Sequence, residues 1–456
     1  MEKLNTSSPG RALAWRKIML CFFMVGSCCV YAADMTGGSP ERVLLLPGAS
    51  PSTSHTVSWR TSAAATESLA EISEAVASPS LIQHAKTFSG TSKSLALGEG
   101  VVFHHQVSFQ PLKPDTLYAY RVKGEKAWGE WLTFRTAAEK FSPYRMIYLG
   151  DMQNHIHSLG ARTLRAAFAK APDARLMLHA GDLTDRRGPE DELWRQWFAA
   201  GGWLLGNVAQ VPVAGNHEYQ ETPGKLPALR QAWAAHFPLP DNGPALLQKT
   251  VYSFDYQGVR YIILDSMAAI HSETAAKQQA AWLEALLANN PNVWTIVSYH
   301  HPLFSGAYAR WNKQLVKHWQ PLFERYSVDL VLQGDDHIYG RWQTAGRAPV
   351  YTISVAGAKH NRVHPQAKKV LQRSGEDAQW YQVIDFEADR LRYRAWTVNG
   401  DLYDAFDLVR EPGKASRVEM SQEILPAEQR CSKPGDDPQT QTQQDKSRCW
   451  LVTELQ

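Results

Sequence analysis

Arg175–Asp185 reads Arg-Leu-Met-Leu-His-Ala-Gly-Asp-Leu-Thr-Asp: an apolar run of strand length, a glycine, then a carboxylate at Asp182 and a second at Asp185. A buried strand that ends this way delivers the next side chains to the carboxyl edge of an α/β sheet, where such sheets collect their functional groups. Four further runs end alike. Met146–Leu149 leads into Gly150-Asp151-Met152-Gln153, and Val211–Val213 into Gly215-Asn216-His217-Glu218. Val293–Tyr299 leads into His300-His301-Pro302, and Leu330–Leu332 into Gly334-Asp335-Asp336-His337.

One Asp after an apolar run is an ordinary turn or capping residue. Five such ends in chain order are more than capping explains. Carboxylates gathered at one edge repel and raise one another's pKa unless a cation neutralises them. Oxygen and imidazole donors in this number suit two ions, and the chemistry expected of them is two-metal hydrolysis.

The ordered motifs Gly150-Asp151, Gly181-Asp182, Gly215-Asn216-His217-Glu218, His300 and Gly334–His337 resemble those of the calcineurin-like metallophosphoesterases, in their purple-acid-phosphatase-like branch. The resemblance covers about residues 38–410. It implies two mixed β-sheets packed between helical layers, and a pair of divalent or trivalent ions drawn from Fe, Mn, Zn or Mg. Asp182 would bridge them, Asp151 and His337 would serve the first, and Asn216, His300 and Asp335 the second. His301 is the alternative to His300. His217 would act as general acid while a metal-bridging hydroxide attacks phosphorus. Arg341 would either help hold phosphate or form a salt bridge at the rim.

The chain departs from the family pattern in places. Asp185 stands where purple acid phosphatases have a tyrosinate, so the protein should not be purple. Gln153 replaces a histidine of the wider superfamily and would be a weak ligand; both it and Asp185 could equally lie behind the ligands. Asp335 replaces a histidine, adding negative charge and favouring harder cations such as Mn, Fe or Mg. Ala309-Arg310 occupy the place of a histidine pair, and Arg310 could take over a phosphate contact.

A chain of 456 residues exceeds what one core usually serves, and 44% hydrophobic with 20% charged residues is ordinary for a globular protein. A net charge of +3 gives no reason to expect a nucleic-acid partner. Residues 1–33 read as a signal peptide: Arg11, Arg16 and Lys17 precede the apolar run Ile18–Tyr31, too short for a comfortable transmembrane helix. Secreted or periplasmic export is the expectation, with lipid anchoring at Cys28 the variant that Val25–Cys28 allows. Export agrees with the pair Cys431 and Cys449, which suits a disulfide in an oxidising compartment.

Residues 38–137 alternate in the manner of a fibronectin type III-like, all-β sandwich, with Leu112–Val122 matching its turn-plus-strand pattern, in which a tyrosine bonds back to its loop. His104 and His105 fall in that strand pattern and read as structural. Residues 142–411 alternate short apolar runs with helical stretches at Ser158–Ala171, Pro189–Leu205, Leu226–Phe237, Ala275–Ala288 and Trp311–Tyr326. This is α/β layering, with a hairpin over Tyr252–Asp265 that suggests a mixed sheet. Residues 412–456 read as a polar tail adding little to the core.

The function expected is an exported metal-dependent phosphoesterase, acid-phosphatase-like, acting on small phosphate monoesters. The alternatives are a phosphodiesterase or nucleotide hydrolase on the same site, and a catalytically degenerate surface binding protein.

Overall fold

The computed structural model describes residues 38–431 apart from 64–66, 98–99, 222, 224 and 412, together with Cys449. The signal-peptide and Cys28 readings lie outside the described residues.

The first domain is a sandwich of two antiparallel sheets. One runs Glu41–Pro47, His55–Thr61, Gly100–Phe109, Thr91–Leu97, and the other Lys86–Ser89, Leu69–Glu74, Leu117–Val122, Leu132–Arg135. Period-two alternation turns Val57, Trp59, Val107, Phe109, Tyr120 and Phe134 inward. The tyrosine corner is present: the Lys113 amide donates to the Tyr118 hydroxyl at 2.9 Å. His105 is structural, held by the Thr61 and Ser68 hydroxyls at 2.8 and 2.9 Å. The sandwich is fixed to the α/β domain by Tyr120, which donates to the Gly206 carbonyl at 2.6 Å, and by the Ser58 hydroxyl on the His236 carbonyl at 2.7 Å.

From Tyr144 the chain builds a 14-stranded hydrogen-bonded sheet with two arms. In the first, Ala209–Pro212, Leu176–His179 and Tyr144–Leu149 are parallel, and Trp380–Phe386, Arg390–Thr397 and Leu402–Val409 continue antiparallel. In the second, Arg347–Ile353, Leu330–Gln333, Trp294–Ser298 and Val259–Ile263 are parallel, with Tyr252–Tyr256 closing the edge as a hairpin through Gln257-Gly258. Tyr148, Leu178, Ile296 and Leu330 face a core shared by both arms, whereas Ile147 and Met177 pack outward with Leu164 and Trp197, and Val297 and Val331 with Leu283 and Phe323. The result is the expected pair of β layers between helical layers.

Three readings are corrected. Leu226–Phe237 is helical only over Gln231–His236, because Ala228–Leu229 pairs with Tyr219–Gln220 and the Arg230 amide is taken by the Glu218 carbonyl at 2.9 Å. Trp311–Tyr326 is two helices, Lys313–His318 and Gln320–Arg325, broken where Pro321 restarts the second. The polar tail is not idle: Arg417–Met420 is the strand that links the arms, pairing with Leu402–Val409 and, at Arg347, with Arg347–Ile353. Strand pairing uses backbone groups, so a polar sequence does not forbid it. Among the described residues no helix is long and apolar enough to cross a membrane.

Candidate metal centre

The parallel strands of both arms end at one rim. Asp151, Asp182, Asp335 and His337 follow their strands with φ of +30°, +51°, +66° and +53°, a left-handed backbone that non-glycine residues adopt at a cost of about 1–3 kcal/mol each. Such strain persists where surrounding structure imposes it, and the glycines show how tightly it does. A Cβ on Gly181, itself at φ +93°, would sit 2.3 Å from His300 Nδ1, and one on Gly334 would sit 2.5 Å from Asp151 Oδ2. Only glycine lets these loops close on one another.

His300 is the centre of the cluster. Its Nδ1–H donates to the Ala180 carbonyl at 2.7 Å, which turns Nε2 inward. Around Nε2 stand Asn216 Oδ1 at 3.1 Å, Asp182 Oδ1 at 3.3 Å, Asp335 Oδ1 at 3.8 Å and Asp151 Oδ1 at 4.0 Å. Asp151, Asp182 and His337 form a second grouping, with ligand atoms within 4.8 Å of one another and all three side chains buried. Asp182 belongs to both groupings. Thus Asp151, Asp182, Asn216, His300, Asp335 and His337 come together.

The electrostatics state what such a cluster requires. Burial pushes Asp151 well above the usual carboxylate range, with Asp182 and Asp335 adding to it. Burial acts on Asp182 too, but His217 and His300 outweigh it and hold that carboxyl ionised. His300 is buried, yet the carboxylates around it, Asp182 first, drive it well above its ordinary value. The upward shifts mark Asp151 and His300 as the groups whose protons a cation would displace. Both are oxygen or nitrogen donors that a metal takes only after deprotonation, so divalent ions would substitute for those protons. The donor set fits a metal pair.

His217 lies beside the cluster. Its amide donates to Asp182 Oδ1 at 2.9 Å, its Nδ1 to the Thr184 carbonyl at 3.1 Å, and its Nε2 is 3.6 Å from Asp182 Oδ2. Gln153 presents its amide nitrogen to His337 Nε2 at 2.7 Å, while its carbonyl oxygen is buried without a hydrogen-bond partner. Turning the amide over would aim that oxygen at the same place. Asp185 accepts from Asn154 Nδ2 and from the Arg186 amide, each at 2.7 Å, and so supports the loop that carries Gln153.

The proposed substrate contacts fare differently. Of the two roles left open for Arg341 the structure shows the salt bridge, inside the fold rather than at the rim: it is buried and donates to Asp404 at 2.6 and 3.3 Å, beneath the Phe406 ring. Its partner lies on Leu402–Val409, a strand unread in the sequence. His301 stands beside His300 with its Nδ1 on the Ser266 hydroxyl at 2.9 Å. Arg310 is on the short hairpin Phe304–Ser305 with Arg310–Trp311, exposed, its guanidinium over the Tyr308 ring at 5.0 Å.

Two buried carboxylates join the site that the sequence did not single out. Glu218 accepts from the Asp182, Leu183 and Gly215 amides at 2.9, 3.0 and 2.8 Å, binding the second and third loops together. Burial, with Asp182 nearby, pushes it up to about 7. Asp336 accepts from the Ser305 hydroxyl at 2.6 Å and the Gly306 amide at 2.5 Å. The signal for Glu218 was its fixed place after Asn216-His217.

Against known proteins, the family model for the purple acid phosphatase N-terminal domain matches residues 40–136 and that for calcineurin-like phosphoesterases residues 144–339. An uncharacterized protein of Mycobacterium tuberculosis is 28% identical over 261 residues, 50% of this chain and 49% of its own length. Purple acid phosphatase 21 of Arabidopsis thaliana is 28% identical over 258 residues, 54% of each chain. The chain thus spans about half the length of these relatives. A purple acid phosphatase from yellow lupin seeds shares the fold, with a TM-score of 0.65 at 17% identity over 82% of this chain and 75% of its own.

Proposed function

We propose, from the premise that the chain belongs to the purple-acid-phosphatase-like branch of the calcineurin-like metallophosphoesterases, that it is an exported metal-dependent hydrolase of phosphate monoesters. The observation that carries this reading is Asp182: one carboxylate faces His300 on one side and His217 on the other.

Asp151, Asp182 and His337 would hold one ion, and Asp182, Asn216, His300 and Asp335 the other. Bound there, the metals would polarise the phosphoryl oxygens and lower the pKa of the attacking water. The chain's own part is positioning and proton transfer. With Nδ1–H committed to the Thr184 carbonyl, the proton that His217 gives to the leaving oxygen sits on Nε2. Asp182 Oδ2, 3.6 Å away, stabilises the imidazolium that carries it. Glu218 and Asp336 fix the loops so that these groups need not reorganise during the reaction. The signal-like residues 1–33 and the Cys431–Cys449 disulfide, with Cα atoms 5.4 Å apart, support an exported location.

The test is an assay of mature protein on a chromogenic monoester and diester with Mn, Fe, Zn and Mg in turn, beside Asp182→Asn and His217→Ala. The reading expects about two metal equivalents, a preference for the monoester and loss of turnover in Asp182→Asn, with His217→Ala impaired more as the leaving group becomes poorer. Wild type as inert as the variants under every metal overturns it.

A further inference from the structure

A sixth strand end reaches the same rim. Arg347–Ile353 runs into Ser354-Val355-Ala356-Gly357-Ala358-Lys359, an apolar run ending in glycine and followed by a charge of the opposite sign to the others. This loop is clamped to the site on both sides of Lys359. The Gly357 amide donates to the Asp151 carbonyl at 2.7 Å, and a Cβ on Gly357 would sit 2.6 Å from the Gln153 carbonyl oxygen. The Asn361 amide donates to the His337 carbonyl at 3.1 Å, and the Asn361 side chain to the Asp336 carbonyl at 3.1 Å. Two residues before and two after, the backbone is therefore bonded to two of the proposed ligand loops. Lys359, half-buried, stands between these two clamps.

We propose that Lys359 is the cation that contacts the non-transferring oxygens of the substrate phosphate, taking the place left by the absent histidine pair and selecting dianionic monoesters.

The charge balance of the site supports this assignment. Asp335, standing where the family has a histidine, makes the site more negative by one unit and opposes an anionic substrate. One ammonium on the adjoining loop restores the balance. Its ammonium lies close enough to Asp151, His337 and His217 for its charge to act on all three. Of the cations named for phosphate, Arg341 is paired with Asp404 inside the fold and Arg310 lies over the Tyr308 ring. A lysine is a point charge on a flexible stem and can follow phosphate as it turns over. A monoester dianion gains more from that charge than a diester monoanion does.

The inference rests on the phosphatase reading and is tested apart from it. Inorganic phosphate is titrated calorimetrically into Mn-loaded wild type, Lys359→Met and Lys359→Arg, with metal content and melting temperature measured on each. Monoester and diester kinetics are recorded alongside. Lys359→Met should weaken phosphate binding roughly ten- to hundredfold and raise the monoester KM more than the diester KM. Metal content and melting temperature should stay at wild-type values, and Lys359→Arg should recover most of the affinity. Unchanged phosphate affinity in Lys359→Met overturns the inference, as does a loss accompanied by loss of metal, which would make the lysine a counter-charge for Asp151. Wild type that binds no phosphate also overturns it. Active wild type with an indifferent Lys359→Met leaves the phosphatase reading standing; Lys359-dependent phosphate binding without hydrolysis removes that reading and keeps the lysine.

Discussion

His217 touches Asp182 twice, through its amide on Oδ1 at 2.9 Å and through Nε2 at 3.6 Å from Oδ2. The backbone contact survives side-chain truncation, so the two roles separate. In His217→Ala the Asp182 carboxylate keeps its orientation and metal content should remain near wild type. The proton donor is gone, and turnover of an alkyl phosphate should fall about 10²- to 10⁴-fold. A nitrophenyl ester, whose leaving group needs little protonation, should suffer far less. Equal losses on both esters would remove the acid role.

Glu218→Gln should damage the site without touching a substrate. The carboxylate accepts amides from both the Asp182 loop and the Gly215 turn, and glutamine would oppose one of them with a second donor. A buried amide left unpaired costs about 1–3 kcal/mol. The melting temperature should drop by several degrees and metal retention through dialysis should fall with it. A variant with native stability and two retained ions would show the loops held by something else.

What the sequence disclosed and what it hid divide along a physical line. Strand ends with glycine turns were legible because apolar periodicity and the need for a left-handed or crowded backbone leave local marks, as at Gly181-Asp182 and Gly334-Asp335. Lys359 lies in the same pattern but carries an ammonium, which ligates no metal and so does not stand out among metal donors. The choice between phosphate and salt bridge stayed open for Arg341 because its partner Asp404 is 63 residues away on a strand whose pairing is non-local. Arg417–Met420 was hidden for the same reason: four residues, Arg-Val-Glu-Met, inside a polar stretch say nothing of the two edges that their backbone joins.

Acid should loosen the seam between the two domains. His104 and His236 pack edge to face at 4.6 Å, and Arg42 donates to His236 Nε2 at 3.3 Å, which requires that nitrogen to be unprotonated. Burial first, then Arg42 and Arg60, holds His104 at about 3, and burial with His104 holds His236 well below its ordinary value. The unfolded imidazoles bind protons near 6.5 while the folded ones do not, so stability is full above that pH. It falls as pH drops from about 6.5 towards 3, by up to about 1.4 kcal/mol per pH unit for each ring. Urea unfolding between pH 7 and 4.5 measures the slope, and His236→Gln, neutral and still an acceptor for Arg42, should flatten it. An unaltered slope in that variant would assign the acid sensitivity elsewhere.

Arg341 and Asp404 make a buried pair, the arginine donating at 2.6 and 3.3 Å, and the same carboxylate accepts from the Tyr339 hydroxyl at 2.8 Å. The pair ties Tyr339–Thr344, the strand that leaves the His337 loop, to Leu402–Val409 in the other arm. Arg341→Met removes the cation and strands Asp404 in an apolar setting, a change that typically costs about 3–5 kcal/mol. Its signature is a large fall in melting temperature with the monoester KM of the surviving folded enzyme close to wild type. Arg341→Met with Asp404→Asn should recover part of that stability, since the uncompensated charge is then gone. A raised KM at native stability would instead return Arg341 to the phosphate.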